Sequence, residues 1–136
     1  MKHLVYDKEF VNVYIDDEVP MIYEEWTGQT TPDEFKETLN QKLQAFTSHL
    51  EKYPALKWMT DIRGLRGIDD VVQTWATQEF HPKLFPLGVR KIAFIVAESI
   101  YYQLSTEQTT GIMDTRNEVK LCYFDNHEQA ISWLNS

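Results

Sequence analysis

At 136 residues the chain is the size of one domain, spanning 1–136, and can bury roughly 65–70% of the surface its unfolded form exposes, so it needs no disulfide or metal to hold it together. Its 43% hydrophobic and 25% charged residues suit a globule that folds throughout, and a formal charge of −8 repels phosphate backbones, which excludes nucleic acid as an expected partner. The lone Cys122 excludes a disulfide framework or a Cys-rich zinc site; no apolar run nears the ~20 residues of a spanning helix, and no export signal core follows Met1, so a cytoplasmic location without stable membrane insertion is expected.

Three short segments, 3–6, 10–15 and 21–26, are separated by the polar turns Asp7-Lys8-Glu9 and Asp16-Asp17-Glu18 and predict an antiparallel meander. In the second, Val11, Val13 and Ile15 alternate with Phe10, Asn12 and Tyr14, which directs the aliphatic set inward. The acidic residues of the second turn and the pair Glu24-Glu25 lack the spacing and glycine of a calcium loop and read as turn and solvated strand charges.

The first helix carries clear signals: Thr31 as cap, Pro32 in the first turn, Glu34 completing a capping box, and an end before Tyr53-Pro54. Phe35, Leu39, Leu43, Phe46 and Leu50 form a stripe that must lie on a sheet, leaving Glu37, Lys42 and Glu51 to water. Downstream, strands are expected near 57–62, 91–96 and 119–124, with helices near 69–78, 98–105 and 126–134. This order favours parallel pairing, and residues 92–96, apolar on both faces of the pleat, read as a central strand. Cys122 falls on the last strand as a small buried residue, Asn126 caps the last helix with Gln129 three residues on, and residues 111–117 read as a connection. The fold expected is a single α/β domain with a mixed sheet and packed helices.

The strand end Trp58-Met59-Thr60-Asp61-Ile62-Arg63, the helix start Ile68-Asp69-Asp70, and the closing segment from Tyr123 through Asp125, Asn126 and His127 to Leu134 give the chain a resemblance to the SpoIIAA-like and STAS group of small bacterial domains. The resemblance is mainly architectural and covers nearly the whole chain. It implies a regulatory or ligand-binding module. In the phospho-regulated antagonists of that group a serine follows the aspartate at the helix start; Asp70 stands there in this chain, so the serine switch is not implied.

Chemistry concentrates after the strand at 57–62. Asp61 and Arg63, two apart on a strand, share a face and can pair, either as a structural tie or as the polar end of a binding site. Arg66 reads as a solvated loop residue, and Asp69 and Asp70 are accounted for by capping and the helix dipole. The following segment holds Trp75, Phe80, His81, Phe85 and Leu87 among Pro82 and Pro86, where few positions can extend a helix. Its aromatics can cover the core, wall a pocket for an apolar or planar ligand, or meet a second subunit.

The chain has no nucleophile elbow, phosphate-binding loop, dinucleotide fingerprint or His-Glu-x-x-His motif, so no cofactor and no metal are implied. The reading adopted is a non-catalytic regulatory or small-ligand-binding module. Its expected site is Asp61, Arg63, Trp75, Phe80, His81 and Phe85, and its expected partner a small apolar or anionic molecule or a protein. The alternatives are a small enzyme using Asp61 or His81 as acid or base, and a homodimer formed through the 75–87 aromatics.

Overall fold

Alternation decides the amino-terminal half. In the computed structural model, which describes residues 1–101, 112–114 and 119–136, β1 (Lys2–Lys8), β2 (Val11–Asp16) and β3 (Met21–Trp26) form an antiparallel meander. Val11, Val13 and Ile15 are buried, as their spacing predicts. From β3 onward pairing is parallel: β4 (Lys57–Asp61) joins β3, β5 (Lys91–Ile95) joins β4, and β7 (Lys120–Phe124) joins β5. Ile112–Asp114, which the sequence reading leaves in a connection, forms a short antiparallel edge strand, β6, on β7. Three residues are too few to display a period of two, so this strand has no sequence signature. The described residues thus build a seven-stranded sheet in the order β1-β2-β3-β4-β5-β7-β6.

The pleat divides the core in two. On one face Val13, Ile22, Trp58 and Ile92 pack with Phe35, Leu39 and Phe46 of α1 (Pro32–His49). On the other, Met21, Tyr23, Met59, Ala93 and Ile95 pack with Ala130 and Leu134 of α3 (His127–Leu134). The α1 capping box forms as expected: Glu34 N donates to Thr31 Oγ1 at 3.1 Å, and Thr31 N donates to Glu34 Oε1 at 2.9 Å. Asn126 caps α3 through Gln129 N at 2.9 Å, and Cys122 is buried and free.

Two charges depart from the sequence reading. Lys42 and Glu24, expected in water, are each 0% exposed. Lys42 Nζ lies 3.1 and 3.0 Å from the two Glu24 carboxylate oxygens, donates to Met59 O at 2.6 Å, and sits 4.0 Å from the centre of the Trp58 ring. The reason is positional: Lys42 falls on the stripe with Phe35, Leu39 and Phe46, and Glu24 alternates with Ile22 and Trp26 on the α1 side of β3. Charges so buried persist only when paired and hydrogen-bonded. Burial nonetheless pushes the Lys42 ammonium down to about 8, against the opposing pull of Glu24.

After β4 the chain forms α2 (Asp70–Trp75), capped by Asp69 through Val72 N at 3.0 Å. It then loosens into a π turn at Ala76–Phe80 and two 3-10 turns, His81–Lys83 and Phe85–Leu87. Pro82 and Pro86 each remove a backbone donor and cannot continue an α-helix, which explains the break. A helical turn opens at 98–101; the remainder of the helix expected at 98–105 lies outside the described residues.

The loop between β4 and α2 is pinned to residues 28–30, with Thr30 N donating to Arg66 O at 2.9 Å and Arg66 N to Gly28 O at 3.3 Å. Gly67 has φ of 84°, and a Cβ there would lie 2.5 Å from Thr30 O and against the Gln29 amide. Gly67→Ala is therefore expected to destabilise the protein by about 1–3 kcal/mol in urea denaturation, from left-handed strain plus collision with a fixed carbonyl.

Candidate functional site

Residues at the carboxyl ends of the parallel strands separate by face. Asp61 is the last residue of β4 and points, with Met59, toward α3. Arg63 grips it with both arms, Nε to Oδ1 at 3.0 Å and Nη2 to Oδ2 at 2.6 Å, and its backbone N–H adds a third bond to Oδ1 at 3.2 Å. His127, the first residue of α3, brings Nε2 to 3.0 Å from Asp61 Oδ2. Its ring also meets Tyr23 edge-on at 5.7 Å. Burial alone would raise the Asp61 carboxyl, but the hydrogen bonds from His127 and Arg63 prevail and hold it at about 2. A carboxylate so acidic and so fully occupied is a weak base at neutral pH.

Glu25 lies beside Asp61 on β3, and ligand atoms of Glu25, Asp61 and His127 come within 4.8 Å of one another. This trio does not fit a cation. Arg63 already supplies the positive charge and occupies both Asp61 oxygens, so an ion would have to displace it. The arrangement ties β4 to the amino end of α3.

The opposite face holds a cleft of about 970 Å³. Its floor is the sheet: Trp58 and Thr60 of β4, Phe94 of β5, and Leu121 and Tyr123 of β7. Phe35 and Leu39 of α1, the 62–68 loop, and the α2–π-turn segment from Gln73 to His81 enclose it. Phe94 is only half-buried although it sits on a central strand, because its side chain faces this space.

His81 stands in the wall of the cleft, 8% exposed, and its Nδ1 is buried without a hydrogen-bond partner. Burial, reinforced by the Lys42 charge, pushes its imidazole down to about 4, so the ring is neutral at physiological pH. Thr60 and Tyr123 add hydroxyls to the lining, and exposed Arg66 and Ile100 stand at its rim.

Of the residues expected in one crevice, the structure brings Phe80 and His81 to the cleft. Trp75 stands behind Phe80, with ring centres 5.6 Å apart, and Phe85 stacks under the Arg90 guanidinium at 3.7 Å. Asp61 and Arg63 lie across the sheet from them. The pleat accounts for the division: Thr60 and Asp61 are neighbours in sequence and point to opposite faces.

With the sheet order, the strand-end Asp61 and the closing helix in place, comparison with known proteins decides the relationship: the SpoIIAA-like family model matches residues 21–135. The chain belongs to the SpoIIAA-like family. Among solved structures, an uncharacterised protein of the DUF3478 family from Shewanella loihica, with a SpoIIAA-like fold, superposes with a TM-score of 0.55. The match covers 97% of this chain and 99% of that one at 15% identity, a likeness of fold alone. No curated protein matches the chain.

In this SpoIIAA-like domain no helix among the described residues is long and apolar enough to cross a membrane. Asp70 is exposed at the start of α2. The sequence reading gives His127 no role at a site. The signal was its place in the first turn after β7, since helix amino ends and parallel-strand carboxyl ends converge on one edge of such a sheet. Asp61 meets the amino end of the last helix, not of the next one.

Proposed function

We propose that this SpoIIAA-like protein is a non-catalytic binding module that takes a small, largely apolar molecule into the cleft between the sheet and the α1 and α2 layer. The supporting observation is the cleft itself. It has the volume of a ligand site, and its walls are mainly apolar.

Asp61, Arg63 and His127 hold the other face as a structural tie, and Phe80 and His81 belong to the binding wall, with Trp75 supporting Phe80 from behind. Regulation then consists of ligand-dependent stabilisation of the loosely wound segment from Ala76 to Leu87.

Titration with 8-anilinonaphthalene-1-sulfonate, read by its fluorescence, tests the reading. Saturable binding is expected for the native chain. Thr60→Phe, which fills the floor of the cleft, is expected to weaken it at least about tenfold. Arg63→Ala, on the opposite face, is expected to leave it within about twofold. Equal binding by the Thr60→Phe variant would reject the cleft as the site.

A further inference from the structure

A second hollow, of about 260 Å³, opens at the other end of the sheet, where β4 and β5 begin. Its accessible apolar wall is Leu50 at the end of α1, Pro54 and Ala55 before β4, and Leu87 of the second 3-10 turn, each half-buried or exposed. The charged side chains that line it are Lys57, Arg90 and Lys91, all basic.

Three cations around one hollow stand out in a chain of 13 basic and 21 acidic residues. Lys57 and Lys91 open neighbouring parallel strands, one residue before the paired Trp58 and Ile92. Lys120 follows Lys91 in register on β7, with Asp114 beyond it on β6. Like charges side by side across strands are destabilising. Yet none of the ion pairs among the described residues involves Lys57, Arg90 or Lys91. Lys91 Nζ donates to Trp133 O at 2.8 Å, Ser136 O at 3.0 Å and Ser136 Oγ at 2.8 Å, and Lys57 Nζ to Ala55 O at 3.3 Å.

Arg90 is held in place. Its Nη1 donates to Phe85 O at 2.7 Å and to Val89 O at 3.2 Å, and its guanidinium carbon lies 3.7 Å from the centre of the Phe85 ring. These contacts fix the guanidinium while its other edge, Nε with Nη2, has no protein partner among the described residues. The same edge of Arg63 is the one that grips Asp61. A fork already ordered by its neighbours meets both oxygens of a carboxylate at little further entropic cost.

We infer that this hollow is a second binding site, for a short apolar carboxylate. The carboxylate lies on the free edge of Arg90, Lys57 and Lys91 add positive charge, and the tail rests on Leu50, Pro54, Ala55 and Leu87. Volume sets the length: about 260 Å³ is the share of roughly nine waters at ~30 Å³ each, which suits a ligand of about eight non-hydrogen atoms and not a long chain. The hollow shares only the buried Trp58 with the larger cleft, so this site stands whether or not that cleft binds a ligand.

Titration of the nitrogen-15-labelled full chain at pH 7 and low salt with sodium hexanoate, sodium acetate and hexan-1-ol, followed by amide shifts, tests this. Hexanoate is expected to saturate with shifts centred on 54–57 and 87–91, about tenfold tighter than acetate or hexan-1-ol. Arg90→Gln is expected to weaken hexanoate about tenfold and to leave hexan-1-ol within about twofold. Thr60→Phe, in the larger cleft, leaves hexanoate within about twofold. Should Arg90→Gln disturb the Phe85 turn, Lys57→Gln on β4 is expected to weaken hexanoate about threefold, and an unchanged affinity there overturns the cationic site. Hexan-1-ol as tight as hexanoate overturns the carboxylate assignment, and acetate as tight as hexanoate overturns the apolar class. Shifts centred on 60–68 and 76–81, lost in Thr60→Phe, overturn the second site while upholding the cleft. No saturable shift with hexanoate up to about 20 mM overturns the proposal and leaves the cleft reading to its own test.

Discussion

Replacing Lys42 with methionine is expected to lower the stability of the fold by about 3–5 kcal/mol, read as a shift of the urea midpoint with an unchanged slope. The volume lost is small; the effect comes from Glu24. Both residues are 0% exposed, and Lys42 Nζ, at 3.0 Å from Oε2 and 3.1 Å from Oε1, is the cation beside the Glu24 carboxylate. Without it the carboxylate remains in the core with no counter-charge, and Met59 O loses the donor 2.6 Å away. The double variant Glu24→Met/Lys42→Met removes the stranded charge and is expected to recover most of the loss, because apolar side chains of similar length replace the pair within the same layer. A double variant no more stable than the single one would show that the cost lies in packing around Trp58 instead of in the unpaired charge.

That buried pair also marks how far the sequence could be read. Periodicity was sufficient for the meander, for the capping box of α1, and for the parallel strands, because each rests on local repeats of two or on spacings of three and four. The same periodicity placed Lys42 one turn from Leu39 and Phe46, and Glu24 between Ile22 and Trp26. Residue type argued for solvent and position argued for core; position prevailed because the two charges could reach one another across the helix–sheet layer. Opposed charges at inward-facing positions of separate elements were the legible sign of this.

The site was legible only in halves. The segment from Asp61 to His81 does hold the polar strand end and the aromatic wall, but alternate residues of β4 address opposite faces, and no local pattern reports which helix covers which face. Trp58 and Thr60 look into the cleft, Met59 and Asp61 look toward α3. The partnership of Asp61 with His127 spans 66 positions, and β6 is three residues long. Both depend on tertiary assembly.

Acidification should reveal the two faces separately. His81 is held neutral, its imidazole at about 4 against an ordinary value near 6.5. Between those values the unfolded chain binds the proton and the folded chain does not. Stability is accordingly complete above pH 6.5 and declines by about 3 kcal/mol as the pH falls to 4. Asp61 follows, held at about 2 against an ordinary 3.8, so its contribution is complete above pH 3.8 and is lost as the pH drops through 2, by about 2 kcal/mol. Asp17, held at about 2 by the terminal ammonium and His3, titrates in the same low range, so the Asp61 share is read as the difference between the native chain and Asp61→Asn. Urea midpoints at pH 7, 4.5 and 2.5 are expected to show both declines in the native chain, the first absent from His81→Gln and the second reduced in Asp61→Asn. A native chain equally stable at pH 7 and 4.5 would mean that the folded His81 imidazole takes up a proton as readily as the unfolded one, against its burial beside Lys42.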